Sequence, residues 1–150
     1  VDAIKAIRKE KGMVSLAKYL STCKSLKEFL ENDQYRRLKE MLDEEIDKQI
    51  ALFDLTASGE INFFQIKSRY SITSILSSRL SDIYPKRTII TYTRKAGIYK
   101  LSGRSQKYNL AEAFDKASKN IGRGGGHPKA AGATVSDIDL FEARLRKLLK

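Results

Sequence analysis

Three consecutive glycines sit within Gly122-Arg123-Gly124-Gly125-Gly126-His127-Pro128-Lys129-Ala130-Ala131-Gly132. No other stretch restricts the fold as much. Successive residues without Cβ let backbone N–H groups converge on an anion, and they also let a helix and a strand pack closely. Arg123, His127 and Lys129 place cationic or switchable donors beside those amides, a combination that suits a phosphate or a nucleic-acid backbone. Two familiar phosphate loops are excluded. A Walker A loop needs Gly-Lys-Ser/Thr opening a helix, whereas these glycines lead into His-Pro-Lys. A dinucleotide fingerprint needs a strand before the glycines and a helix after them. Here the pattern predicts a helix first, then a glycine-rich loop, then a strand. A turn that only lets a helix and a strand approach each other remains the structural alternative.

The apolar periods around that string divide the chain in two. Before residue 61 the pattern is helical: Asp2 to Lys11, Met13 to Leu20, Ser25 to Leu30 with the capping-box pair Ser25 and Glu28, and a long helix from 33 to 55. The apolar positions of that helix are Tyr35, Leu38, Leu42, Ile46, Ile50 and Phe53. Its acidic face, Glu40, Asp43, Glu44, Glu45 and Asp47, reads as a solvated one. From residue 61 the period changes. Ile61 to Lys67 reads as a strand, Ser71 to Ile83 as a helix, and Arg87 to Thr93 and Ile98 to Ser102 as a hairpin about Lys95-Ala96-Gly97. Asn109 is placed to cap a helix ended by Gly122, with Leu110, Ala113, Phe114, Ala117 and Ile121 on one face. A strand around Ala131 to Val135 and a helix capped by Asp137 follow, the latter carrying Leu140, Phe141, Leu145, Leu148 and Leu149. This order predicts an α+β (α/β-like) fold, a mixed β-sheet flanked by helices, with residues 1–60 as a helical extension and 61–150 as the sheet domain.

Charge follows the same division. The net charge is +11. Residues 1–60 hold 11 Lys and Arg against 12 Asp and Glu, while residues 61–150 hold 18 against 6, so the whole basic excess lies in the sheet domain. A one-sided excess of this kind points to a polyanionic partner. The 41% hydrophobic and 31% charged content excludes a wholly disordered chain. No apolar run is long enough for a membrane span and the first residues show no apolar signal core. A lone cysteine, Cys23, allows no disulfide within the chain and suits a reducing compartment, so a cytoplasmic location is expected. A single histidine, His127, and Cys23 make no His/Cys zinc site, and no cofactor is implied. Alternation along the third strand puts Lys100, Ser102 and Arg104 on one side, with Tyr99 and Leu101 on the other. The arginine fork and the short hydroxyls of Ser102 and Ser105 are phosphate-binding types, although an exposed polar sheet face has the same pattern.

Taken together, Ser102-Gly103-Arg104-Ser105 after a hairpin, a helix, and then Gly-Gly-Gly-His-Pro-Lys-Ala-Ala-Gly-Ala resemble the DHH-associated domain. That domain forms the C-terminal half of RecJ-type exonucleases and related oligonucleotide phosphodiesterases, and a looser relative ends alanyl-tRNA synthetases. The resemblance covers about 61 to 150. It implies that Ser102, Arg104 and Ser105 contact a substrate backbone, and that Gly124, Gly125, Gly126 and His127 close over a phosphate or nucleotide. The 33–55 helix resembles the connector of the larger family, and the rest of 1–60 is left unexplained. In the family, catalysis lies in a preceding DHH domain that holds two metal ions. This chain has no Asp-His-His, and Asp137 and Asp139 read as an N-cap pair, so no catalytic and no metal-binding residue is expected. The chain is similar to the short archaeal RecJ homologues that lack the DHH domain, which associate with the GINS complex and through it with the MCM helicase. That likeness implies a non-catalytic replication factor, nucleoid-associated, that binds single-stranded DNA rather than RNA. The rival expectation is the substrate-binding domain of a RecJ-like exonuclease or phosphodiesterase whose metal domain lies outside this chain.

Overall fold

The computed structural model describes residues 21–150 except 26, 29, 30 and 32. The expected helices Asp2 to Lys11 and Met13 to Leu20 lie outside the described residues, as do Leu30 and the side chain of Tyr35. The described chain divides into two compact units. One is drawn from the chain up to Gln49 together with Ser68–Ile72, and the other comprises Ile50–Lys67 and Thr73–Lys150.

In the first unit, Ser25 behaves as its spacing predicts: its hydroxyl accepts the Glu28 N–H at 3.1 Å, while the Glu28 carboxylate reaches back to Lys24 N at 2.8 Å. Helix α1, Asp33–Thr56, supplies residues to both units. Its buried positions are Leu42, Ile46, Gln49 and Phe53, a strict 3–4 spacing in which Gln49 takes the place expected of Ile50.

The second unit is built on one five-stranded sheet. After β1 (Ile61–Gln65) come α2 (Thr73–Ile83), β2 (Thr88–Lys95), β3 (Ile98–Arg104), α3 (Leu110–Ser118), β4 (Gly122–His127), β5 (Ala130–Val135) and α4 (Ile138–Leu148). The spatial order is β1-β2-β3-β5-β4. β1 runs parallel to β2, and the other neighbours are antiparallel, so the sheet is mixed as expected.

One face of the sheet meets α3 and α4. Ile90, Leu101, Ala131, Ala133 and Val135 pack there against Phe114, Phe141 and Leu145, with the two phenylalanine rings edge to face at 5.2 Å. Gly103 lies on this face because a Cβ there would come within 2.5 Å of the Phe114 ring. At the outer edge, Arg146 on α4 donates to the Ile61 carbonyl at 3.1 Å and covers the Phe63 ring, which blunts the open edge of β1. On the opposite face, α2 covers β2 and β3. The Thr91 hydroxyl donates to the Thr73 carbonyl at 2.7 Å, and the Ser77 and Ser102 hydroxyls are 2.9 Å apart.

Two expectations are corrected. Gly122 does not end α3: the helix stops at Ser118, and Asn120 supplies the left-handed turn residue, with φ 67°. The glycine-rich segment is a strand rather than a loop, the edge strand β4, paired residue for residue with β5. Glycine is needed there by tertiary contact, since a Cβ at Gly124 would lie 2.5 Å from the Phe114 carbonyl oxygen, so α3 sits almost directly on the β4 backbone. Asn109 is the N-cap of α3 by backbone geometry but makes no side-chain cap bond, whereas Asp137 caps α4 through Leu140 N at 2.9 Å.

Candidate nucleic-acid interface

The register of three strands assembles the candidate site. Residues paired across an antiparallel ladder point to the same face. Arg104 pairs with Ala130, and Ala130 with His127. One step along, Ser102 pairs with Gly132 and Gly132 with Gly125; one step further, Lys100 pairs with Thr134 and Thr134 with Arg123. These three rows lie on the face that α2 covers over β2 and β3. Beyond α2 the face is open: Lys100, Arg123, His127, Gly132 and Thr134 are all exposed. The middle row is bare, because a Cβ at Gly125 would meet nothing within 4 Å and one at Gly132 only the Leu101 carbonyl, at 3.5 Å. The result is a glycine-floored trough with a pair of basic residues at each end, Arg104 with His127 and Lys100 with Arg123.

The serines of α2 form one bank. Arg104 is half-buried and held by three bonds: Nε to Ser78 Oγ at 3.2 Å, and Nη1 to Ser102 Oγ at 3.2 Å and to the Gly103 carbonyl at 2.9 Å. Its Nη2 amino group meets no acceptor among the described residues, which leaves two donors for a ligand. Partial burial lowers the Arg104 pKa from its ordinary value, so desolvation works against the cation that an anion in the trough would stabilise. Ser102 is itself fixed between Ser77 and Arg104. Among the described residues no carboxylate pairs with Lys100, Arg104, Arg123 or His127.

The sequence-predicted residues divide accordingly. Arg104, Arg123, Gly125 and His127 come together on the open face, while Ser102, in the same row as Gly125, is buried beneath α2 with its hydroxyl held between Ser77 and Arg104. Gly124 belongs to the other face, beneath Phe114. Gly126 has φ 146°, and a Cβ there would lie 2.6 Å from the Ala130 oxygen, so it shapes the turn into β5. Lys129 is exposed in that turn. Ser105 is buried, its hydroxyl 2.9 Å from Thr88 Oγ1 and accepting the N–H groups of Lys107 and Tyr108, which commits it to bracing the chain after β3. The two motifs are also clipped together: Ser105 N donates to the Lys129 carbonyl at 3.2 Å and Leu110 N to the Pro128 carbonyl at 2.8 Å. Ser77, Ser78 and Thr134 escape the sequence reading; the serine-rich run from 71 to 81 was the only signal for the first two. Among the described residues no three His, Cys, Asp or Glu side chains come close enough to hold a metal ion.

Fold and site define an α+β domain that carries a glycine-floored trough, framed by basic side chains, on an open sheet face. The DHHA1 domain model matches residues 61–150, and the chain belongs to that family. No curated protein matches it. Among solved structures, RecJ from Thermus thermophilus in complex with Mg2+ aligns over 98% of this chain at 19% identity, with a TM-score of 0.72. Exonuclease RecJ bound to manganese aligns over 77% at 20% identity and 0.63. The pGpG-specific phosphodiesterase PggH from Vibrio cholerae aligns over 91% at 13% identity and 0.56. The chain spans 24%, 30% and 48% of those three proteins. These are likenesses of fold. The first alignment takes in α1, which therefore has its counterpart in that RecJ structure.

Proposed function

We propose that this chain binds single-stranded nucleic acid, DNA rather than RNA, by its sugar–phosphate backbone in the glycine-floored trough, and does not itself cut it. The observation that carries this reading is the set of three cationic side chains, Lys100, Arg104 and Arg123, which with His127 frame a glycine floor and have no carboxylate partner among the described residues. Glycine and arginine in this arrangement read a backbone rather than base edges, so sequence preference is weak. The absence of an Asp-His-His sequence and of a second histidine supports a non-catalytic role. Purified chain is expected to bind a labelled single strand by fluorescence anisotropy and to leave it intact with manganese or magnesium. Cleavage that persists through purification and is lost in a point variant would overturn the second half of the proposal.

The replication role rests on the resemblance to the short RecJ homologues: the chain acts at the nucleoid in the cytoplasm, docked on GINS and through it on the MCM helicase. Co-purification tests it, and separate migration of chain and GINS at micromolar concentration removes the partner. Among the described residues no helix is long and apolar enough to cross a membrane. A second reading is favoured by one comparison: nearly all of this chain aligns with about a quarter of RecJ. In that reading the chain is the substrate-binding part of a RecJ-like exonuclease. The genomic reading frame separates the two, since a DHH-coding segment upstream of Val1 belongs only to the second.

A further inference from the structure

The three rows of the trough have a spacing that a nucleic-acid strand can match. Successive residues on one sheet face are about 6.7 Å apart, twice the rise per residue. Phosphates of a fully extended strand are separated by roughly twice the 3.4 Å rise of a stacked one, about 6.8 Å. Resting on the binding function proposed above, we propose that the trough is a three-phosphate register running along β3, β5 and β4. One phosphate sits at Arg104 and His127, the next over Gly132 and Gly125, and the third in a distal subsite formed by Lys100, Thr134 and Arg123.

Three observations fix the direction and length. The basic pairs lie four residues apart along the strands, about 13 Å, so no single phosphate reaches both. The serine bank of α2, through Ser77 and Ser78, confines the trough on the β3 side, while the β4 side is open. Beyond α2 the middle row offers no cation, only Gly132 and Gly125, so the middle phosphate can lie close to the sheet while its neighbours are neutralised at either end. Lys100 and Arg123 lie on different strands on either side of Thr134, which gives the distal phosphate two cations and a hydroxyl. A diffuse basic surface has no such period, and predicts a smooth rise of affinity with ligand length.

The test uses the intact chain and 5′-phosphorylated thymidine mono-, di- and trinucleotides, which carry one, two and three phosphates, titrated at low salt by NMR. Affinity should step up at the third phosphate by about fivefold, the scale of one phosphate held by exposed cations. In the Lys100→Gln/Arg123→Gln variant that step should vanish, leaving the trinucleotide no tighter than the dinucleotide. The salt slope for the trinucleotide should become shallower by about 0.7, one phosphate's worth of released counterion. Both substituted side chains are exposed, and an unchanged melting temperature confirms the fold. An equal loss at every length, or no step at the third phosphate in the parent chain, overturns the register. If the parent chain binds longer strands and loses them on Arg104→Ala, yet shows no third-phosphate step, only the register falls. If it binds no single strand at low salt, the binding function falls with it.

Discussion

Gly132→Ala should raise the stability of the protein and lower its affinity for single strands, a pair of opposite signs that few mechanisms produce. The added Cβ would have one neighbour, the Leu101 carbonyl oxygen at 3.5 Å, an ordinary contact, and the glycine's φ lies outside the left-handed region. Replacing glycine by alanine within a strand therefore gains about 0.5–1 kcal/mol from reduced freedom of the unfolded chain. For a protein of this size that gain corresponds to a rise of about 1–4 °C in melting temperature. The same methyl group stands on the trough floor between Ser102 and Gly125, where it lifts a phosphate by about the length of one C–C bond, ~1.5 Å. The strand is lifted with it at the flanking rows, where at an effective dielectric of about 20 moving a phosphate from about 4 to about 5.5 Å from a cation weakens the attraction by about 1 kcal/mol. With two flanking cations affected and screening by salt, the loss is about 1–2 kcal/mol, a drop in affinity of roughly 5- to 30-fold. Differential scanning calorimetry and anisotropy with a labelled single strand read the two effects separately. Unchanged affinity in a variant with raised stability would show that the ligand never approaches the floor, and would refute the trough as the binding surface.

The helices were legible because burial acts through a period that the residues carry locally. Leu42, Ile46 and Phe53 on α1, Leu110, Ala113, Phe114 and Ala117 on α3, and Phe141, Leu145 and Leu149 on α4 are buried where the 3.6-residue pattern places them. The pattern over-reaches at the margins of each stripe. Ile83, Leu140 and Leu148 are largely exposed, since periodicity gives a face but not the width that a neighbour covers. β4 was illegible for a different reason. Gly-Arg-Gly-Gly-Gly-His has neither alternation nor β-branched residues, and glycine is poor in strands by every local measure. It becomes a strand because β5 pairs with it and because only a residue without Cβ tolerates the Phe114 carbonyl above Gly124. No local property of the segment encodes that pairing.

The site was half legible for related reasons. Alternation correctly set Lys100, Ser102 and Arg104 on one face, since period 2 is a property of β3 alone. That Arg123, Gly125 and His127 share this face depends on the β5–β4 register, and Ser78 reaches Arg104 only through the packing of α2 on the sheet. Ser105 shows the limit of motif reading. Its place beside Arg104 made it a ligand candidate, but its hydroxyl is occupied by Thr88 and two backbone amides. A hydroxyl reads the same in sequence whether it faces a trough or a turn.

Three further outcomes follow from named contacts. Gly124→Ala should destabilise the fold by about 1–3 kcal/mol in denaturant titrations, because the Phe114 carbonyl it would strike is backbone and cannot swing away; wild-type stability would contradict the close α3–β4 packing. The exposed Lys107–Glu60 pair, at 2.6 Å, lowers the Glu60 pKa through the lysine hydrogen bond and raises that of Lys107. Its contribution is present above the unfolded glutamate value, lost as pH falls through the depressed folded one, and lost again as pH rises through the raised lysine value; Glu60→Gln should flatten the acid limb of the stability profile, and an unaltered limb would contradict the pairing. Arg104→Ala should weaken single-strand binding by about 1.5–3 kcal/mol, the range for a hydrogen bond to a charged group. The structure gives this variant an internal control. Arg104 also satisfies Ser78, Ser102 and the Gly103 carbonyl, so its removal perturbs stability as well as binding. Arg104→Lys separates the two roles. It keeps a charge near the phosphate but loses the planar fork that holds the serines while presenting Nη2, and so it should recover only part of the affinity. Full recovery by lysine would show that charge alone suffices, and that the serine bank does not orient the guanidinium for its ligand.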